Sequence, residues 1–245
     1  ANFDYYASKN NSKPATWQEY LDSWKKTGDY SVEFTLKQVY PGFLAALSDL
    51  STAPISPESL KDSKELAAGG KSVALTGPYT IKEYKQGSQL TLEARSDYKW
   101  APQALSKQLK SKESLPFAKE LVFRFLPEAS TRTGALTSGQ VDIINGVPSQ
   151  DINQIKSNGK FDYYQVLNSG TAYSLYFNTT KAPFNDVNVR KAFQLGADYK
   201  AIIKSVYYGT GTYANQSFSS ASVFYNKAFK GITFDKDKAN KLLDK

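Results

Sequence analysis

The sequence predicts a mixed α/β fold, and three stretches carry that prediction. Tyr30-Ser31-Val32-Glu33-Phe34-Thr35-Leu36 alternates apolar with polar residues, the period of a half-buried strand. Residues 77–84 and 89–94 form two more strand-like runs flanking Lys85-Gln86-Gly87-Ser88, whose glycine suits a hairpin turn. Between 187 and 208, Val189, Ala192, Phe193, Gly196, Ile202, Ile203 and Val206 recur at helical spacing and make one apolar stripe.

The remaining elements follow in chain order. Thr16 with Glu19 three residues on makes a capping box, so a helix is expected over 16–24, within a helix-and-loop stretch that Gly28-Asp29 ends. Pro41 suits the first turn of a short helix through Phe43, Leu44 and Leu47. Residues 51–76 read as a loop-rich connection with one short helix, punctuated by Pro54, Pro57 and Gly69-Gly70. The lysine-rich stretch 101–116 reads as a surface excursion. Leu121-Val122-Phe123-Arg124-Phe125 reads as a buried strand, 128–136 as a helix closed by Gly139, and Val141-Asp142-Ile143-Ile144 as a returning strand. A helix from Ser149, closed by Asn158-Gly159, precedes strands at 161–166 and 173–178. Asn185 or Asp186 caps the long helix after a turn at Pro183, and Gly209 and Gly211 stop it. A polar, aromatic loop then leads to a last helix over 235–245.

Composition removes whole classes of chemistry. The 245 residues include neither cysteine nor histidine, so a Cys nucleophile, a Ser-His-Asp triad and a thiolate zinc site are all excluded. The net charge of +8 raises the question of nucleic acid. Its lysines, however, are spread along the chain with acidic residues interleaved and no recognisable nucleic-acid module, the pattern of a solvated surface. The most apolar run, residues 43–50, falls far short of the roughly 18 residues a membrane-spanning helix needs. The opening Ala1-Asn2-Phe3-Asp4 lacks the basic and apolar regions of a signal peptide, and the sequence has no Met; the expectation is a processed or excised segment.

Five blocks together are similar to one family. They are Thr76-Gly77-Pro78-Tyr79 with Ser96-Asp97-Tyr98-Lys99-Trp100 after the hairpin, Leu136-Thr137-Ser138-Gly139-Gln140-Val141-Asp142, Asn178-Thr179-Thr180-Lys181-Ala182-Pro183-Phe184-Asn185-Asp186 running into Val189-Arg190, Ala197-Asp198-Tyr199-Lys200-Ala201-Ile202-Ile203, and Phe234-Asp235-Lys236-Asp237-Lys238-Ala239-Asn240-Lys241-Leu242-Leu243. In this order and spacing they resemble the family-5 extracellular solute-binding proteins, which include oligopeptide-, dipeptide- and nickel-binding receptors. Ala182, where the family often has proline, and Tyr199, where it usually has arginine, are minor departures. The family's N-terminal block and everything after the last helix are missing, so the resemblance implies an internal fragment.

What the resemblance implies is a periplasmic-binding-protein-like, two-lobed scaffold, incomplete here. Residues 1–172 would be part of the first lobe, and 173–245 the crossover strand and the beginning of the second. Ligand binds between such lobes, and hinge closure buries it. The implied protein is the substrate-binding component of an ABC importer, taking peptides through main-chain contacts and handing them to the permease subunits. No cofactor, metal or nucleic acid is implied, and the receptor is expected to be a monomer. It would be periplasmic, or a Gram-positive cell-surface lipoprotein held to the membrane only by a lipid anchor outside this fragment. Carried over by position, the cleft-facing side chains are Tyr173, Ser174, Tyr176 and Asn178, and the loop 210–222, with Tyr213, Asn215 and Phe218, lies at the rim. Tyrosine suits the task, joining a large apolar face to a hydrogen-bonding hydroxyl. Core packing of the same tyrosines is the rival reading of that strand. Among functions, the rivals are a receptor for a nickel-metallophore or another small solute, a sensor or adhesin on the same scaffold, and a hydrolase using Asp142 with Asp151 or Glu33 with Asp29.

Overall fold

Gly28-Asp29 does end a regular element, but that element is a strand. Helix α2 (Thr16–Tyr20) stops at Tyr20, and β1 (Leu21–Gly28) pairs antiparallel with β2 (Ser31–Leu36). The helix expected through 24 therefore loses to the hairpin, because β2 offers a complete partner and cross-strand pairs such as Lys25 with Glu33, joined at 2.7 Å. The computed structural model describes residues 1–7, 16–102 and 116–244, which divide into two units, Ala1–Leu126 and Pro127–Lys245. The excursion expected over 101–116 lies, but for its ends, outside the described residues, as does the side chain of Thr16 in the expected capping box. The boundary expected at 172/173 between lobes lies inside the second unit.

In the first unit, Tyr6 of α1 (Asn2–Tyr6), Trp17, Leu21 and Phe43 of α3 (Phe43–Ala46) form the buried core. Phe3 meets Phe34 edge-on at 4.7 Å, and Phe34 meets Phe43 at 5.4 Å, so the β1–β2 sheet is packed by aromatic edges rather than by aliphatic layers. Asn2 pins α1 to the following loop with both its amide atoms, donating to the Ile55 carbonyl and accepting from the Ile55 N–H, each at 2.9 Å. Two short helices, α4 (Pro57–Lys61) and α5 (Ser63–Ala68), stand where one was expected. Asp62 divides them by accepting from the N–H groups of Lys64 and Glu65 at the start of α5.

The expected hairpin is present as β3 (Tyr79–Lys85) and β4 (Gln89–Ala94), with Gly87 at φ +71° in its turn. β5 (Glu120–Arg124) adds on the far side of β4, giving the order β3-β4-β5, all antiparallel. Gly77 is not at positive φ and a Cβ there would meet open space, so the Gly77-Pro78 pair is held by its neighbours rather than by its own dihedrals. Arg95 donates its N–H to Pro78 and its guanidinium to Leu75, lies 4.8 Å over the ring of Trp100, and bonds both oxygens of Asp97 at 3.1 Å. Trp100 closes the circuit by donating to the Thr76 carbonyl at 2.8 Å.

The second unit is built on helices. Helix α6 (Ala129–Thr137) ends in Gly139 at φ +74°, where the Gln140 N–H reaches back to Ala135, so a left-handed residue closes the helix as expected. Thr133 donates to Asp151 at 2.8 Å, joining α6 to the start of α7 (Ile152–Ser157). The long helix expected over 187–208 is two helices, α8 (Val187–Gly196) and α9 (Tyr199–Val206). Ala197 is extended between them, and Asp198 caps α9 through the Ala201 N–H at 3.0 Å. The apolar stripe was continuous, but an Asp two residues past a glycine is itself a start signal, and it wins. Asp186 caps α8 as expected, accepting from Asn188 at 2.7 Å. Helix α10 (Lys236–Leu243), capped by Asp235, buries Ala239 against Ala192 and Leu195 of α8. A Cβ at Gly196 would make an ordinary contact of 3.7 Å with that of Ala239, so the approach of the two helices does not depend on the glycine.

Three expected strands are absent from the sheets: 141–144, 161–166 and 173–178 carry no strand pairing among the described residues. Their large side chains are exposed, including Ile143, Tyr164, Val166 and Leu175. Each has strand chemistry without a strand partner.

Candidate functional site

Tyr173, Ser174, Tyr176 and Asn178 sit on a stretch held at both ends. At its C-terminal end, Phe177 stacks on Phe184 with ring centres 4.6 Å apart, and both meet Phe193 of α8 edge-on. The turn between them contains a cis Ala182–Pro183 bond. It is clamped by Arg190, whose guanidinium donates to the carbonyls of Phe184 at 2.6 Å and Asn185 at 3.1 Å. The block from Asn178 to Arg190 is thus a structural device that aims the stretch before it.

At the N-terminal end, Thr171 forms an isolated antiparallel bridge with Phe218. Ala172 donates to Ser217 at 2.7 Å, and Ser219 donates to Gly170 at 3.1 Å. The structure therefore ties the chain just before Tyr173 to the loop 210–222, and Phe218 sits closer to Thr171 in the fold than the sequence could place it.

The four residues divide by what their polar atoms do. Ser174 donates to the carbonyl of Ala172 at 3.0 Å, and Asn178 accepts from the N–H and hydroxyl of Thr180 at 3.1 and 2.8 Å, a local turn. Both are engaged within two residues of themselves. Tyr173 and Tyr176, 102% and 86% exposed, have hydroxyls with no hydrogen bond among the described residues. Tyr213 of the rim is committed, donating to the Ile232 carbonyl at 3.1 Å and stacking on Tyr199.

Three of the four carboxylates considered for hydrolysis have structural partners. Glu33 pairs with Lys25 and Asp29 with Lys26 at 3.3 Å, while Asp151 accepts from Thr133. A depression of about 320 Å³ lies elsewhere, in the first unit, lined by Lys71, Lys82, Glu83, Gln89, Thr91 and Glu120. Its floor is polar: Thr91 is buried and accepts from Gln89 at 3.0 Å, and Lys82 pairs with Glu120. None of the sequence-predicted site residues lines it. Among the described residues no carboxylate cluster is placed to hold a metal ion, and no helix is long and apolar enough to cross a membrane.

The profile of the bacterial extracellular solute-binding proteins, family 5 Middle, matches residues 1–245. Heme-binding protein A of Haemophilus influenzae is 30% identical over 235 residues, which cover 94% of this chain and 40% of that protein. The dipeptide-binding protein of Escherichia coli is 28% identical over 229 residues, covering 92% of this chain and 40% of its own length. Among solved structures, the periplasmic binding protein DppA of Helicobacter pylori, in complex with the peptide STSA, superposes with a TM-score of 0.74 at 22% identity. It is matched over 99% of this chain and 48% of its own. The chain thus spans less than half the length of each of these proteins.

Proposed function

The chain belongs to the bacterial extracellular solute-binding proteins of family 5, with their mixed α/β, two-lobed fold, and on that premise we propose that it is part of a peptide receptor of an ABC importer. The receptor binds peptide between its lobes, delivers it to the permease and does not turn it over. Residues 1–172 belong to the first lobe, and the chain crosses to the second from 173. Tyr173, Ser174, Tyr176 and Asn178 are the ligand-facing residues of that crossing. The receptor works as a monomer outside the cytoplasm, either in the periplasm or held at the cell surface by a lipid anchor.

The observation that carries this reading is the state of Tyr173 and Tyr176. Two large amphipathic side chains stand free on a stretch whose flanks are fixed by the Phe177–Phe184–Phe193 stack and the Thr171–Phe218 bridge. A backbone fixed at both ends lowers the cost of ordering the stretch, and each tyrosine has only two side-chain torsions to freeze on binding, which is the economy a broad-specificity receptor needs. Ser174 and Asn178 shape the backbone locally and contribute through it.

A second reading, a small non-peptide solute such as a metal chelate, is favoured by the 30% identity to a protein named for heme. Native mass spectrometry of the intact receptor, purified without denaturation, separates the two. A ladder of peptide-mass adducts lost on unfolding is the expected result. A single adduct with a metal isotope pattern would move the assignment to the second reading.

A further inference from the structure

The Thr171–Phe218 bridge has the close, non-hydrogen-bonded form, because its bonds run through the residues on either side, Ala172 to Ser217 and Ser219 to Gly170. Residues directly opposite in such a pair put their side chains on one face. Tyr173 lies two residues beyond Thr171, and residues 172–178 have no strand pairing among the described residues, so the bridge itself is what brings Tyr173 near Phe218.

The loop behind Phe218 is held by side-chain amides. Gln216 donates to the Asn226 carbonyl at 2.9 Å and accepts from the Asn226 N–H at 3.0 Å, so one amide reproduces the paired bonds of a β-bridge. Asn215 donates to the Phe229 carbonyl at 3.2 Å and accepts from the Tyr225 hydroxyl at 3.4 Å. Gly231 permits the close fit, since a Cβ there would lie 2.6 Å from the Asn215 carbonyl oxygen. Phe218 therefore stands on a built pedestal, its ring centre 5.5 Å from that of Phe224, and it is still 39% exposed.

We propose that Phe218 is a specificity-determining residue of the cleft, an apolar wall beside Tyr173 for an aromatic or aliphatic side chain of the bound peptide, with Gln216 the positioning residue that holds it. The inference rests on the peptide reading above. Main-chain contacts do not distinguish one peptide from another, whereas an apolar wall discriminates by the area it buries.

The test uses the intact receptor and three tripeptides, Ala-Phe-Ala, Ala-Leu-Ala and Ala-Ala-Ala, with Kd read by calorimetry. Phe218→Ala is expected to weaken the Phe and Leu peptides about tenfold and the all-alanine peptide less than about twofold. Gln216→Ala, which keeps the phenylalanine but removes the bonds that hold its loop, is expected to flatten the same preference, a ratio that a general loss of stability does not change. Equal weakening of all three peptides by Phe218→Ala, or no change in any, would overturn the assignment while leaving the peptide reading intact. Failure of the unsubstituted receptor to bind any of the three would overturn the peptide reading, and this inference with it.

Discussion

The two units treat the same kind of sequence differently. In Ala1–Leu126 every described stretch with strand alternation finds a partner, and β1 to β5 close into two antiparallel sheets. In Pro127–Lys245 three stretches with comparable chemistry, 141–144, 161–166 and 173–178, find none. The helices behave alike in both. A helix satisfies its backbone within itself and needs only a cap, whereas a strand is defined by its neighbour. The strand partners of the second unit are not supplied by the described residues, and the free backbone and bare side chains of these stretches are what a sheet edge presents before it is paired.

The largest expected effect tests this contrast at its two extremes. Trp17 is 2% exposed and packs edge-on against Phe3 at 5.7 Å, so Trp17→Ala should cost about 3–5 kcal/mol. All three tryptophans, Trp17, Trp24 and Trp100, lie in the first unit, so the two left in the variant still report its unfolding in denaturant. Leu175→Ala in the second unit should change the stability of this chain by less than about 0.5 kcal/mol, followed by far-UV circular dichroism. A cost for Leu175→Ala comparable to that of Trp17→Ala would break the comparison, because it would mean that the 173–178 stretch is already covered.

A smaller effect sharpens the comparison by showing that the helices of the second unit stand on local terms. Gly139 is at φ +74° and a Cβ there would touch nothing within 4 Å, so Gly139→Ala carries a purely conformational cost. That cost should be about 1 kcal/mol in urea unfolding, independent of whatever pairs with 141–144. A loss several times larger would show that the turn after α6 depends on packing as well as on its own dihedral.

How much could be read from the sequence follows the same division. Caps and turns were legible because their chemistry is local: Asp186, Asp235, Gly87 and Gly139 all act where their residue types predict. The failures are relational. The 16–24 helix was overridden by a hairpin partner, and alternation at 161–166 and 173–178 showed competence to pair without showing what pairs. The break at Ala197-Asp198 rests on a local cap inside an apolar stripe that, read by its period alone, gave one continuous helix. For the site, the tyrosines could be named from the resemblance. The commitment of Ser174 and Asn178 to local bonds and the bridge that ties Phe218 to Thr171 could not, because no spacing rule links 171 to 218.

The smallest effect concerns a tie peculiar to the first unit, the Arg95–Asp97 pair that fastens the chain after β4 to the loop before β3. Arg95, bonded to both carboxylate oxygens, holds the Asp97 carboxyl below its ordinary value of 3.8. A carboxyl depressed in the folded state stabilises fully above its unfolded pKa and loses that contribution as pH falls through the lower folded value. Wild type and Asp97→Asn should therefore differ in urea midpoint at about pH 6, and the gap should close as the pH is lowered below the ordinary carboxyl value of 3.8. Exposure of the carboxylate keeps the gap small, and added salt should narrow it further. A gap that persists at low pH would assign the role of Asp97 to its shape and neutral hydrogen bonding. The first unit would then be fastened after β4 by the Trp100 bond and the backbone bond of Arg95 to Pro78, with the ion pair incidental.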